Sequence, residues 1–309
     1  MDIEIKKNLC SNWFAELRDM ICCEFEKIEE EYFKNNANNL DQDFSSLSNL
    51  SERSDIEKNN FAKFVKKKWQ RNDQDRDGGY GEMSIMKGRV FEKVGVNFSK
   101  VYGEFSEEFR KEIPGANQNP KFWASGISLV AHMSSPLVPA VHMNTRFICT
   151  QKHWFGGGSD LNPIFEEQKD TDDFHQEFKD RCDRYNLDYY PKFKKWCDEY
   201  FFIKHRGVAR GVGGVFYDYL NNGDDQENFT KDFNFTKDIG LGFLEIFPKL
   251  VRRNMFKKYN QTQRYQQLKK RGLYTEFNLV YDRGTKFGLM TNGNAEAILM
   301  SLPPIAIWE

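Results

Sequence analysis

Residues 139–148 carry the tightest constraint on this chain. Read as an extended strand, they put His142, Asn144 and Arg146 on one face and Val141, Met143 and Phe147 on the other, because successive strand side chains point to opposite sides. An imidazole, an amide and a permanent cation stand in a row. Residues 126–133 repeat the pattern with Ser128 and His132, and the Ser134-Ser135-Pro136 turn folds the two strands into neighbours. A polar row inside apolar strands reads as the wall of a site for an anionic ligand.

Bulk properties narrow the classes of function. With 309 residues and 39% hydrophobic content, the chain can bury a sizeable core in one large domain or two. A net charge of -1 argues against binding nucleic acid or a membrane through overall charge. No run of about 18 apolar residues marks a membrane span. Residues 1–7 are charged rather than apolar, so no signal peptide is expected. The six cysteines, Cys10, Cys22, Cys23, Cys149, Cys182 and Cys197, show no CxxC pair and no zinc-finger spacing, which points to reduced, mostly buried thiols. A cytoplasmic protein is the expectation.

Residues 1–35 read as an amphipathic helix, with Trp13, Phe14, Leu17, Met20, Ile21 and Phe25 at helical spacing. The polar stretch 36–54 suits a surface loop. A second helix is predicted over 55–71, its Lys66-Lys67-Lys68 run a solvated face or, on a sharper reading, a phosphate or partner contact. β-Branched and aromatic runs over 83–105 and 123–148 predict strands joined by turns. Helical periodicity returns at 171–185 and 191–204, the second opening on Pro191, where no N–H is needed. Residues 214–220 read as a strand, 229–271 as two helices, and 274–291 as strand, turn and strand. Short links imply antiparallel pairing, so a layered α/β protein of the α+β kind is predicted rather than a doubly wound one.

The run from Gly207 to Gly214 leads from a helical pattern into a strand, the reverse of a dinucleotide fingerprint, and no GxxxxGK[ST] loop is present. Gly156-Gly157-Gly158 is either a tight turn or a place where backbone approaches a ligand. His132, His142, His153, His175 and His205 show neither HxH nor HExxH spacing, so a metal centre would need tertiary convergence. A hydrogen-bonded structural role is the plain alternative for each; His142 stands apart because Asn144 and Arg146 share its face. Arg146, Arg206, Arg210 and Arg283 form the other constellation. A guanidinium holds a carboxylate through two parallel hydrogen bonds, so their convergence would suit a substrate with several carboxylates, against the alternative of surface ion pairing. Asp282, beside Arg283 at a predicted strand-to-turn position, is either a turn aspartate or, in an apolar cavity, a proton acceptor.

Together these segments resemble a known family. Gly126-Ile127-Ser128-Leu129-Val130, Val141-His142-Met143-Asn144-Thr145-Arg146-Phe147, Trp154-Phe155-Gly156-Gly157-Gly158-Ser159-Asp160-Leu161 and Val280-Tyr281-Asp282-Arg283-Gly284-Thr285 are similar to signature blocks of oxygen-dependent coproporphyrinogen III oxidases. Further similar blocks lie at 91–99, 194–198, 204–206, 210–214 and 276–279, in family order from about Gly78 to Trp308.

The resemblance implies one domain over 1–309, with a large antiparallel sheet flanked by helices on both faces in three layers. It implies a cytoplasmic homodimer in contact through 274–309, with no nucleic-acid or membrane partner. The implied reaction is oxidative decarboxylation of two propionates of coproporphyrinogen III to vinyl groups, giving protoporphyrinogen IX in haem biosynthesis with dioxygen as acceptor. His142 is implied as proton donor, Ser128, Asn144, Thr145 and Arg146 as substrate contacts, and Asn292-Gly293-Asn294 as the C-terminal substrate loop. Many members carry Gly-Gly-Arg in that loop; here one guanidinium is missing and backbone N–H groups remain. His132, His142, His175 and His205 match positions suggested for a divalent metal such as manganese, while oxygen chemistry with no cofactor beyond O2 is the family's more usual account. His153 and 36–54 receive no role. On this reading Arg146, Arg206, Arg210 and Arg283 anchor carboxylates, Asp282 holds pyrrole N–H groups or accepts a proton, and His142 shuttles protons. A porphyrin carrier would need the same cavity without proton handling, and a metal-dependent hydrolase would use the four histidines.

Overall fold

Alternating burial along the central strands builds one sheet with two unlike faces. A computed structural model of the chain describes residues 1–35, 60–73, 76–107, 109–111, 113–290 and 293–308, so the stretch expected as a loop at 36–54, residues 55–59 and Asn292 lie outside the described residues. The elements are α1 (Ile3–Asn35), β1 (Val65–Asp73), β2 (Arg76–Met86), β3 (Phe91–Glu104), β4 (Lys121–Met133), β5 (Ala140–Cys149), β6 (His153–Asn162), α2 (Gln168–Asp183), α3 (Tyr189–Tyr200), β7 (Phe202–Ile203), β8 (Val208–Ala209), β9 (Gly213–Leu220), α4 (Gln226–Asn254), α5 (Gln261–Val280), α6 (Arg283–Met290) and α7 (Ala295–Leu299). Among the described residues, seven strands pair antiparallel in the order β1-β2-β3-β4-β5-β6-β9, and β7 and β8 form a separate ribbon.

One sheet face is apolar. Ile127, Leu129 and Ala131 of β4 and Val141, Met143 and Phe147 of β5 join Phe14, Leu17, Ile21 and Phe25 of α1 and Phe243 and Phe247 of α4 in a single core. Phe25 stacks on Phe91 of β3 with ring centroids 4.6 Å apart. Burying each such side chain contributes about 1.5–3 kcal/mol. The buried Glu29 of α1 accepts the backbone N–H groups of Arg89, Val90 and Phe91 at 2.8–2.9 Å, which satisfies the turn between β2 and β3. At the β9 edge, α3 packs Phe193 against Tyr217, with centroids 5.3 Å apart.

The other face is covered by α5, α6 and α7, and charge docks them. Glu92 of β3 accepts Arg264 Nη2 at 2.7 Å, Arg264 Nη1 at 2.8 Å and Arg271 Nη2 at 2.6 Å, all buried. Burial alone would raise the Glu92 carboxyl; the charges of Arg271 and Arg264 outweigh it and hold the group at about 2. Residues 301–308 then return along α5, where Ile307 N donates to the Leu268 carbonyl at 3.1 Å. The result is the three-layer arrangement that the resemblance implied.

Two predicted segments differ. Residues 65–71, expected as part of a helix, form strand β1: Trp69 and Arg71 are buried while Lys68 and Gln70 are exposed, a period of two that the lysine run conceals. Lys66 and Lys67 are both exposed but lie on opposite faces of the strand, where they pair with Asp19 of α1 and Glu296 of α7 at 2.8 and 2.5 Å. Residues 274–290, expected as strand, turn and strand, are the end of α5 and all of α6. Leu268, Arg271, Tyr274 and Phe277 are buried three apart, which is helical spacing, and it overrides the local β propensity of this aromatic stretch.

Candidate active site

The polar face of β5 becomes the floor of a cavity. His142, Asn144 and Arg146 are half-buried, whereas Val141, Met143, Thr145, Phe147 and Cys149 between them are fully buried on the opposite face. Thr145, expected beside the substrate, is therefore turned into the α1–α4 layer by the strand's own alternation. The β4 register sets Ser128 opposite Asn144, so both reach the same floor. The cavity holds about 340 Å³ and is roofed by Tyr200, Phe201, Phe216, Asn278 and residues of α6 and α7. Asn144 Oδ1 and Arg146 Nε are buried with no hydrogen-bond partner among the described residues, a condition that a polar ligand relieves.

Pairing of β5 with β6 places Asp160 directly opposite His142. His142 Nδ1 lies 2.9 Å from Asp160 Oδ1. Arg210 closes on the same carboxylate, with Nη2 donating to both oxygens at 2.7 Å and Nε donating at 3.2 Å. Its guanidinium is stacked over Phe201, 3.9 Å from the ring centroid, and flanked by Tyr274 and Phe277. Burial opposes ionisation of Asp160, but the Arg210 charge and the His142 bond outweigh it and hold the carboxyl at about 2. A carboxylate only accepts, so Nδ1 of His142 carries a proton and Nε2 is left for exchange with a ligand.

Glycine at 156 serves neither a turn nor a ligand's close approach. It lies within β6 opposite Arg146, and a Cβ there would sit 2.9 Å from Arg146 Nε and 2.7 Å from Asp218 Oδ1. The missing side chain lets Arg146 cross β6 and donate Nη2 to Asp218 of β9 at 2.6 Å. Arg283 approaches the same carboxylate at 3.7 Å and lies over the Tyr200 ring. One carboxylate thus faces two guanidinium groups, which leaves positive charge for an anionic ligand at this end of the cavity.

Asp282 caps α6. Its Oδ2 accepts the Thr285 N–H at 2.7 Å and its Oδ1 accepts the Tyr200 hydroxyl at 3.1 Å. Burial and the nearby Asp282 charge push Tyr200 up to about 12, so it stays a donor. Gly293 and Asn294 also line the cavity, with Asn294 capping α7 by accepting the Ala297 N–H at 3.0 Å.

Other expected residues lie elsewhere. Arg206 is half-exposed and pairs with Glu276 at 2.6 Å outside the cavity, so it is no wall residue. The four histidines do not converge, and among the described residues no group of His, Cys, Asp and Glu is arranged to hold a metal. Only His142 lines the cavity. His132 is buried with Nε2 2.9 Å from the Ser301 carbonyl, and burial, reinforced by the Arg271 charge, pushes it down to about 3. His175 bonds the Val212 carbonyl and the Tyr190 hydroxyl, each at 3.0 Å, and His205 bonds Glu276 at 2.6 Å and Tyr281 at 2.8 Å. This donor set does not fit one divalent ion.

Sequence reading missed Asp160, Asp218 and Tyr200. Taking 153–162 as a strand paired with 140–149 would have exposed Asp160 as the His142 partner; Asp218 and Tyr200 need the tertiary fold.

The family model for coproporphyrinogen III oxidase matches residues 47–309. The oxygen-dependent coproporphyrinogen-III oxidase of Rickettsia akari (strain Hartford) is 56% identical over 304 residues, covering 98% of each chain. That of Rickettsia bellii (strain RML369-C) is 55% identical over 305 residues, 98% of this chain and 99% of its own. With most of its length matched by the family model and by such relatives, this chain belongs to the coproporphyrinogen III oxidase family.

Proposed function

We propose that this protein is an oxygen-dependent coproporphyrinogen III oxidase that converts two propionates to vinyl groups, giving protoporphyrinogen IX in haem biosynthesis. The observation that carries the reading is that His142, Arg146, Arg283 and Asp282 share one cavity in a chain of this family. Each propionate arm loses its carboxyl carbon as carbon dioxide and a hydride equivalent from the methylene on the pyrrole. Dioxygen takes that hydride equivalent and a proton to become hydrogen peroxide.

The residues divide this work. Arg146 and Arg283 receive the reacting carboxylate at the cation-rich end, and Ser128 and Asn144 bond polar atoms along the floor. Asp282 holds the macrocycle's pyrrole N–H groups and accepts the proton whose loss makes the ring electron-rich enough to react with oxygen. His142, fixed by Asp160 and Arg210, carries protons between cavity and substrate. Arg210 is spent on Asp160 and acts by orienting, not by anchoring a propionate. No cofactor beyond dioxygen enters this scheme.

The proposal includes a single domain and a homodimer meeting through 274–309, a region that presents exposed Leu279, Val280 and Leu289. It also places the protein in the cytoplasm; among the described residues no helix is long and apolar enough to cross a membrane. The deciding experiment compares aerobic and anaerobic incubation with coproporphyrinogen III and follows vinyl formation and oxygen uptake. Turnover only with oxygen is expected, and tight binding without uptake would instead describe a carrier. Activity is expected to survive exhaustive chelation; loss restored by manganese alone would overturn the cofactor-free scheme.

A further inference from the structure

The end wall of the cavity is α7 with the residues around it, and something must hold so short a helix in place. Met300 lies against Gly95 of β3, where a Cβ would sit 2.8 Å from its Sδ, so the helix end rests directly on the sheet backbone. Beyond α7 the chain enters Pro303-Pro304, which offer no N–H for bonding to the sheet. The sheet supplies the donors instead. Lys93 of β3 and His132 of β4 are direct cross-strand partners, on the cavity side and one pair beyond Gly95 and Val130. Lys93 Nζ donates to the Leu302 carbonyl at 2.9 Å, and His132 Nε2 lies 2.9 Å from the Ser301 carbonyl. Two adjacent strands thus present two donors to two consecutive carbonyls at the turn that leaves α7, where Leu302 N also donates back to the Leu299 carbonyl at 3.1 Å. The His132 ring is held edge-on to Tyr274 of α5, with centroids 5.1 Å apart.

We infer that His132 and Lys93 are positioning residues that grip the chain just after α7 and so fix the end wall of the substrate cavity. This role accounts for a buried histidine that no metal site uses. The inference rests on the proposed reaction for its kinetic consequence but not for its structural one. If loosening the grip leaves the wall correctly placed about a tenth of the time, apparent substrate affinity falls about tenfold while the bound complex reacts as before.

His132→Phe keeps a ring against Tyr274 and removes the donor, whereas His132→Gln restores an N–H donor. For His132→Phe, the KM for coproporphyrinogen III should rise about tenfold with kcat changed less than threefold, and His132→Gln should recover most of the loss. Amide exchange at 297–302 should quicken about tenfold in His132→Phe and not in His132→Gln. A kcat loss at unchanged KM, a Gln variant as defective as Phe, unchanged exchange, or rescue by manganese would each overturn the role. Should His132→Phe fail to fold, Lys93→Met carries the test: faster exchange at 297–302 supports the grip and unchanged exchange refutes it. Exchange needs no substrate, so it separates failure of the grip from failure of the assigned reaction.

Discussion

The floor and the roof of the cavity are held by different physics. The floor, β4 to β6, is backed by an apolar layer in which Phe147 meets Phe229 of α4 with centroids 5.7 Å apart, and its polar groups are fixed by register. The roof, α5 to α7, is docked through Glu92, Arg264, Arg271 and the grip on residues 301 and 302. Groups that must be oriented, His142 with Asp160 and Arg210, sit where geometry is rigid. Asp282, Arg283 and Asn294 sit at helix starts, so their placement depends on how the roof docks. The difference locates chemistry at a seam between a stiff surface and a removable one.

The sharpest way to break this division is at Asp282, which either handles a proton or merely caps α6. Asn caps a helix as well as Asp does. Asp282→Asn should therefore leave the melting temperature within a few degrees and lower turnover about a thousandfold, the range expected for loss of an acid–base group. Near-normal turnover in that variant would reduce Asp282 to a cap and return proton handling to the floor.

A smaller effect separates floor cation from roof cation. Arg146→Met removes a charged hydrogen bond worth about 1.5–3 kcal/mol, so KM should rise roughly 10- to 100-fold. Arg283→Met, half-exposed and 3.7 Å from the shared Asp218, should raise it several-fold less. Steady-state kinetics on both variants ranks them, and the reverse order would place the substrate carboxylate nearer the roof.

What the sequence disclosed follows the same seam. Strict alternation at His142, Asn144 and Arg146 is a period-two signal that survives in one sequence, and the floor was legible from it. The same rule, applied one residue further, shows why Thr145 faces away. The roof was misread because Thr275, Phe277, Val280 and Tyr281 favour strands locally, while the three-residue spacing of Leu268, Arg271, Tyr274 and Phe277 reports the helix. Asp160 was hidden by three glycines that look like a turn but lie within β6, the first of which, Gly156, is clearance for Arg146. Arg206 shares a run with Arg210, yet the short β7–β8 ribbon turns one outward and the other into the core.

Acid should pull the two walls apart. Glu92 ionises near 2 in the folded protein against an ordinary value of 4.5. A depressed carboxyl contributes stability above its unfolded value and loses it as pH falls toward the folded one, here from about 4.5 to about 2. By pH 3.5 the roof should open about tenfold more readily. The carboxyls of α1 that ion pairs also hold down, Glu31 with Arg252 of α4 and Asp19 with Lys66 and Arg18, stand about half in solvent, where screening leaves them a smaller share of stability than the aromatic packing has. Amide exchange corrected for intrinsic rate should show α5 losing protection before α1. Equal losses would mean that Glu92 does not govern docking.

The least effect is expected at Arg206, and it tests the boundary of the site. Arg206 and His205 both bond Glu276, to which Trp308 Nε1 also donates at 3.0 Å. The Arg206 bond is the main reason Glu276 is held down at about 2, but Arg206 is half in solvent, where such pairs are screened and contribute about 0–1 kcal/mol. Arg206→Ala should leave KM and kcat within threefold and raise the salt sensitivity of neither. A large rise in KM would mean that a propionate reaches across the rim to the outer face of α5, and the anionic site would then extend beyond the wall formed by Arg146 and Arg283.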